Sequence, residues 1–395
     1  MFKNAYIPYG GYYSTPFSKW QHSLQHKNAV ELGGQTSKRW FEEKGFDKNM
    51  LNYLYLGITV GQKSFFFGGS YAAHEMGLRI PGQTVMHACA TATTSVYNAS
   101  LAVENGDWEI TYCLLVDRCS NGPHTIWPNP KGPGGEVISE NWNMDNMSYD
   151  PSTGKGMLFT AERVAKENGF TREEADELSL LRYQQYLNAL ENDREFQKKY
   201  MFSVKLESRK GTKIIEEDEG IIESTKEGLA KLRPMVEGGI HTFGSQTHPA
   251  DANAGIIIAN KEKSLELSEN KNIPIQVITY ACTRTEKKGY MPIASSNAAK
   301  IALNKTGLTV DDISTIKTHN PFIVNDLYLA KDLGIDKKDF NNYGSSMIYG
   351  HPQAPTLARI LIEAIEETVL KGGGYALVTG CAAGDTGASI IVKVG

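Results

Sequence analysis

Four side chains could carry covalent chemistry on a carbonyl group: Cys89, His319, His351 and Cys381. Cys89 stands within Gln83-Thr84-Val85-Met86-His87-Ala88-Cys89-Ala90-Thr91-Ala92-Thr93-Thr94-Ser95, where a short apolar-leaning approach meets one cysteine and then a row of small residues. The pattern Val96, Ala99, Leu101, Ala102, Val103 that follows has helical spacing. A strand end, a tight turn and a helix start would offer the sulfur free backbone N–H groups and the positive end of a helix dipole, both of which favour thiolate over thiol. His319 lies in Lys317-Thr318-His319-Asn320-Pro321-Phe322, and His351 in Tyr343-Gly344-Ser345-Ser346-Met347-Ile348-Tyr349-Gly350-His351-Pro352. Cys381 lies in Val378-Thr379-Gly380-Cys381-Ala382-Ala383-Gly384-Asp385-Thr386-Gly387. Singly, each has a plain structural use as a turn cap, a loop histidine or a small buried residue. Together, two cysteines and two histidines at strand ends suit acyl transfer coupled to carbon–carbon chemistry. A thiolate beside a base takes the acyl group from a thioester. A second thiol removes or returns the proton on the carbon next to a carbonyl. The two oxyanions formed on the way each need convergent donors.

The elements that must position these groups alternate between strand and helix. Strands are expected at 51–60, 83–88 and 110–117, with a helix over 28–43 and another after Cys89. Residues 120–156 are rich in Asn, Pro, Gly, Trp and Met and read as a long covering loop. Helices follow at 157–168 and from Thr171, whose cap is completed by Glu174, to about 192; residues 196–240 read as a charged surface subdomain. The small-residue loop 238–247 leads into a strand at 252–259. A second block repeats the order: strands at 274–281 and 313–318, helices at 295–304, 324–333 and 357–370, and closing strands at 375–379 and 388–394. The result is a layered α/β architecture, most economically a duplicated fold with an insertion in its first half.

Length and composition agree. The 395 residues exceed one ordinary core. A net charge of −4 gives no reason to expect nucleic acid or an acidic membrane surface as a partner. The start carries no apolar h-region and no run is long enough to span a bilayer. The five cysteines are odd in number, scattered and without a C-x-x-C pair, which argues against a disulfide framework or a zinc site and for a reducing cytoplasm.

Over nearly its whole length the chain resembles the thiolase superfamily, of acetyl-CoA C-acyltransferase type. Cys89 with its small followers resembles the family's nucleophile. His319-Asn320-Pro321-Phe322 resembles the Asn-Glu-Ala-Phe motif, or the His-Asp-Cys-Phe-like motif of the sterol-carrier and archaeal branches. Gly350-His351-Pro352 and Cys381-Ala382-Ala383 resemble the Gly-His-Pro and Cys-x-Gly loops. Ser14-Thr15-Pro16-Phe17, and Gly156-Met157 followed by Thr160-Ala161-Glu162, resemble two further family phrases. The resemblance implies a duplicated five-layered αβαβα core with an inserted loop domain. The first half would be 1–119 continued at 243–268, the loop domain over coenzyme A would be 120–242, and the second half 269–395. It implies that Cys89 is acylated, that His351 deprotonates it, and that Cys381 is the second acid/base. His319 would help bind the thioester oxygen with a water, and the Cys89 and Ala383 N–H groups would form the other oxyanion hole. Thr247, Gly244, Ser245 and Met157 would line the coenzyme A site. No resident cofactor or metal is implied, and coenzyme A and acyl-CoA are substrates.

Some residues depart from the family pattern. Ala383 stands where glycine is usual, which costs about 1 kcal/mol if that glycine needs a positive φ. Gln353-Ala354-Pro355-Thr356-Leu357 replaces a glycine-rich phrase, and Pro321 replaces an acidic-motif residue. With Trp127, Trp142, Met144, Met147 and Tyr149 in the covering loop, the chain resembles a branch acting on branched or aromatic 3-oxoacyl-CoA compounds, such as the benzoylsuccinyl-CoA thiolase subunit that works with a zinc-ribbon/OB-fold partner. A homodimer or tetramer is implied in the same way. Two alternatives keep the fold and change the chemistry. One is a hydroxymethylglutaryl-CoA or ketoacyl synthase type of condensing enzyme, which needs no second catalytic cysteine. The other is a non-catalytic acyl-CoA-binding subunit.

Overall fold

Two runs of the same order make up the core of the computed structural model, which describes residues 1–209 and 211–395. The first run is β1 (Tyr12–Ser14), α1 (Ala29–Lys44), β2 (Tyr53–Gly57), α2 (Gly68–Glu75), β3 (Gly82–Val85), α3 (Thr91–Glu104) and β4 (Ile110–Arg118), then, after an insertion that holds α4 (Met157–Asn168) and α5 (Arg172–Asn188), β5 (Ala250–Ala259). The second is β6 (Ile275–Arg284), α6 (Ala294–Thr306), β7 (Ile313–His319), α7 (Ile323–Leu333), α8 (Ala354–Leu370), β8 (Gly374–Ala382) and β9 (Thr386–Val394).

Strand pairing repeats as well. In the first half β1 lies antiparallel to β5, β5 antiparallel to β4, and β4 and β3 parallel to β2. In the second, β6 lies antiparallel to β9, β9 antiparallel to β8, and β8 parallel to β7. A single parallel bridge from Ile316 to Phe340 stands where a fifth strand would be. Tyr6–Ile7 joins the two sheets by pairing with Ala259 on one side and with Ile275 and Gln276 on the other.

The layers follow from which faces are apolar. Strands β4 and β5 are buried along almost all of their length, as sheets covered on both faces must be. Helices α1 and α2 cover the outside of the first sheet and α6 the outside of the second. Helices α3 and α8 pack on each other and on strands of both sheets, forming the middle layer of a five-layered αβαβα fold. Helix α8 is buried from Ala354 to Thr368 although it carries Arg359 and Glu363. Their charges are matched: Arg359 lies 2.6 Å from Asp218 and 2.9 Å from Glu363, and Lys317 lies 2.8 Å from Glu363. A buried charge left without its partner costs about 3–5 kcal/mol, so this set holds Asp218 of the insertion against the central helix.

Several elements run longer than their sequence pattern suggests. Helix α8 begins three residues earlier than expected because Pro355 fits its first turn, where no N–H is needed. Strands β6 and β8 extend to Arg284 and Ala382 because paired neighbours hold polar and small residues in the ladder. The covering loop is more ordered than its composition implies. It contains a hairpin, His124–Pro128 with Val137–Asn141, and a short helix, Trp142–Ser148. Among the described residues no helix is long and apolar enough to cross a membrane.

Candidate active site

The Cys89 loop joins β3 to α3 through a strained elbow. Ala88 has φ +44°, a left-handed value that costs a non-glycine residue about 1 kcal/mol. The Thr91 hydroxyl donates to the Ala88 carbonyl and accepts the His87 N–H, which holds the elbow shut. Ala90 packs against Ala382 and Ala388 of the second half, with Cys89 at the edge of that cluster. These small residues let β8 come close enough to bring its own cysteine beside the first. Tyr280 of β6 reaches across to the Thr94 hydroxyl at 3.0 Å, which in turn meets His87 Nδ1 at 2.8 Å.

His351 sits on the turn that leads into α8. Its Nε2 lies 3.1 Å from Cys89 Sγ and its Nδ1 2.7 Å from Thr356 Oγ1, one turn into the helix. Gln353, at φ +50°, is a second elbow just before α8. It is anchored by Thr59, whose hydroxyl lies 2.7 Å from Gln353 Oε1 and 2.8 Å from Asp117. Asp117 also accepts the N–H groups of Thr59, Val60 and Ala354, so one buried carboxyl ties the end of β2 to the start of α8. Burial raises its pKa to about 7.

His319 ends β7, where Gly380 on the neighbouring strand makes room for it. A Cβ at position 380 would stand 2.9 Å from His319 Cβ and 3.1 Å from Leu357. The His319 and His351 rings are 4.1 Å apart between centroids. His319 Nδ1 lies 2.8 Å from Ser346 Oγ. Ser346 directs its own hydrogen to Asn320 Oδ1, because the Asn320 amide NH₂ is committed to Asp326 and Ser345. Nδ1 of His319 therefore carries the proton, and Nε2 presents a lone pair; it is buried with no partner.

Cys381 is fully buried near the end of β8, with the Asn325 amide donating to its sulfur at 3.2 Å. Met157 packs on the same apolar cluster from the insertion. Ala383 meets the family glycine position without strain: the left-handed residues of that turn are Gly384 and Asp385, at φ +82° and +61°. The N–H groups of Ala383 and Cys89 both aim at the Cys89 sulfur.

The electrostatics correct one expectation. Those N–H groups pull the Cys89 pKa down, but burial outweighs them and pushes it up to about 12. Burial also lowers His351 to about 3 and holds His319 well below the usual histidine range, with His351 adding to the latter. In this half-buried pair both shifts favour the neutral thiol beside a neutral imidazole. Cys381 is likewise raised by burial and by the proximity of Cys89.

A histidine whose folded pKa is depressed contributes stability that is whole above its unfolded pKa and lost as pH falls toward the folded value. Unfolding free energy is expected to drop as pH falls below 6.5, the slope steepening toward about 1.4 kcal/mol per pH unit for each of the two histidines near pH 5. Denaturant titrations across that range should show His319→Gln removing one histidine's share of the slope.

The remaining predicted residues lie on the neighbouring loop. Residues 245–247 run beside 321–323, with the Ile323 N–H on the Ser245 carbonyl and the Thr247 N–H on the Pro321 carbonyl. Thr247 donates its hydroxyl to the Ser346 carbonyl at 2.6 Å. Ser245 is buried, with its hydroxyl accepting the Thr242 N–H. Gly244 lets the loop close onto Leu229 and Leu232, which a Cβ would meet at 2.5 and 2.8 Å. Apart from this loop, a cleft of about 520 Å³ opens among Lys63, Phe65, Met86, Arg118 and Trp142, and its lining includes neither Cys89 nor Cys381.

Sequence reasoning brought together Cys89, His319, His351 and Cys381, and it missed the residues that hold them: Thr356, Ser346, Asn325 and Asp117. Thr356 and Ser346 lie in or beside the quoted motifs and could have been found there. Asn325 and Asp117 act from other strands and helices, and no local pattern marks them.

The profile of the thiolase N-terminal domain matches residues 11–262, and that of the thiolase C-terminal domain matches residues 273–394. The chain belongs to the thiolase family. An acetyl-CoA acetyltransferase of Syntrophomonas wolfei subsp. wolfei is 30% identical to this thiolase over 320 residues, 78% of each chain. A 3-ketoacyl-CoA thiolase of Pseudoalteromonas translucida is 26% identical, covering 96% of this chain and 94% of the relative. The crystal structure of the Bacillus anthracis acetyl-CoA acetyltransferase superposes with a TM-score of 0.90 at 22% identity, over 100% of this chain and 99% of the other. Human mitochondrial 3-ketoacyl-CoA thiolase in complex with CoA gives 0.89 at 22% identity, over 100% and 98%. This thiolase is an acyltransferase that takes coenzyme A as a substrate, not as a resident cofactor.

Proposed function

We propose that this thiolase cleaves a 3-oxoacyl-CoA with coenzyme A into two acyl-CoA products, or runs the condensation in reverse, through an acyl-Cys89 intermediate. The observation that carries this reading is the 3.1 Å contact of Cys89 Sγ with His351 Nε2, beside a second buried sulfur. Cys89 attacks the 3-oxo carbon as its proton passes to His351. The oxyanion lies toward the Cys89 and Ala383 N–H groups. The C2–C3 bond breaks, and the leaving enolate takes the Cys381 proton. The enolate oxygen is held by a water on His319 Nε2. The Cys381 thiolate then deprotonates coenzyme A, whose sulfur attacks the acyl group. Cys89 leaves and recovers its proton from His351.

Residues 120–242 would form the cover over coenzyme A, with Met157, Gly244, Ser245 and Thr247 along the pantetheine path. A branched or aromatic acyl group is supported by the apolar, aromatic composition of that cover. A dimer through the free edge of β3 is supported by its single neighbour β2 and its exposed residues Gln83 and Thr84. A zinc-ribbon/OB-fold partner rests on the branch resemblance alone. The direct test is to follow thiolysis of a panel of 3-oxoacyl-CoA compounds while weighing the intact protein. Turnover with an acyl mass on Cys89 is expected; no acylation by any thioester would leave a binding subunit.

Asn325 positions the second base. Asn325→Leu deletes the donor to Cys381 Sγ, and a hydrogen bond to a charged group is worth about 1.5–3 kcal/mol. Thiolysis should fall roughly 10- to 100-fold. Single-turnover acylation of Cys89 should be spared and the optimum displaced to higher pH.

A further inference from the structure

Cys89, His319 and His351 place one sulfur and two imidazole nitrogens within 4.8 Å of one another. Each histidine has its Nδ1 on a hydroxyl, Ser346 Oγ at 2.8 Å for His319 and Thr356 Oγ1 at 2.7 Å for His351. Both Nε2 atoms are thereby left for the space beside the sulfur. His351 Nε2 is 3.1 Å from Sγ, and His319 Nε2 is buried, partnerless and holds a lone pair. Imidazoles oriented through the nitrogen that does not bind metal are the common arrangement around a zinc ion. One thiolate and two such imidazoles supply three corners of a tetrahedron and leave the fourth open. The donor set is soft and has no carboxylate oxygen, so it selects zinc over magnesium or calcium.

We propose that this pocket binds one zinc ion through Cys89 Sγ, His319 Nε2 and His351 Nε2, and that the bound metal reversibly blocks acyl transfer. The Cys89 S–H proton leaves to solvent, a sulfur–zinc bond forms, and the two neutral histidines each give a lone pair. Water takes the fourth position, and no group changes oxidation state. Bond lengths of about 2.0 and 2.3 Å set donor separations near 3.5 Å, so the 3.1 Å Cys89–His351 contact opens slightly while the wider separations, none above 4.8 Å, close. The sulfur that would attack the thioester is then occupied. An acyl group on Cys89 excludes the metal in turn.

The test uses the full-length, chelator-stripped protein and Zn²⁺ alone, with no substrate. One equivalent of zinc should bind, with an X-ray absorption signature of one sulfur and two imidazole nitrogens. Iodoacetamide labelling of Cys89, read by mass, should slow at least about tenfold and recover with EDTA. Affinity should fall by roughly 100-fold or more in Cys89→Ala and in His319→Ala, and stay unchanged in Cys282→Ala, which alters an exposed cysteine. Labelling indifferent to zinc, or a wild-type absorption signature without sulfur, would overturn the site. Because every readout is free of substrate, a failed thiolysis assay leaves this result standing, and the reverse also holds.

Discussion

Cys89→Ala is expected to lower thiolysis by about 10⁴-fold or more and to remove every acyl mass adduct from the intact protein. The reason lies in what remains after the sulfur is gone. The Ala383 and residue 89 N–H groups still converge on the empty position, and His351 keeps its Thr356 partner. Those groups can bind a carbonyl oxygen, but nothing is left to accept the acyl group, and coenzyme A would have to attack the 3-oxo carbon directly. Folding should be close to normal, because Cys89 only borders a small alanine cluster and its neighbours Thr91 and Ala90 make the turn's own bonds. A variant that retained even one-hundredth of the activity would show that another nucleophile carries the reaction. Cys381 would be the first to examine.

Cys381→Ala should separate the two halves of the cycle. Acylation of Cys89 by an acyl-CoA keeps the Cys89–His351 pair and expels coenzyme A, whose thiolate is a far better leaving group than an enolate and departs without the Cys381 proton, so it should proceed within about a factor of ten of the wild-type rate. Thiolysis also requires a proton for the departing enolate and a base for coenzyme A, and both jobs fall to one buried sulfur. A loss of about 10³-fold or more is expected, since a positioned acid/base contributes roughly 10²–10⁴-fold and here it serves twice. The measurement is an intact mass spectrum after mixing with acyl-CoA beside a turnover assay on 3-oxoacyl-CoA, the first showing the acyl-enzyme and the second no product. Full thiolysis by this variant would place the chain with the condensing enzymes that work without a second cysteine.

Much of this candidate site was legible in sequence because its two cysteines and two histidines fall in short motifs at strand ends. The alternating strand and helix pattern also carried the fold and its repeat. Three things were hidden, each for a physical reason. The helix end alone favours the Cys89 thiolate, yet burial against the alanines of the second half pushes its pKa the other way, and burial is a property of the docked halves. The order in residues 120–156 comes from a hairpin and a helix tied to the core by single contacts, such as the Trp142 indole N–H on the Thr59 carbonyl at 3.0 Å. Composition there speaks only of turns. The supporting residues Asn325 and Asp117 are ordinary polar positions in a strand and a helix, and only the fold tells what they touch.

The two elbows at Ala88 and Gln353 have a consequence beyond geometry. Both are left-handed turns that feed the paired central helices, α3 in the first half and α8 in the second. They are therefore one feature present twice, once in each run of the repeated order. The candidate centre sits where the two helix starts meet, with Cys89 Sγ 3.1 Å from His351 Nε2. One copy presents a cysteine and the other a histidine, so in the proposed mechanism nucleophile and base come from opposite halves and the symmetry is broken. Neither repeat holds a complete site, and their docking completes it.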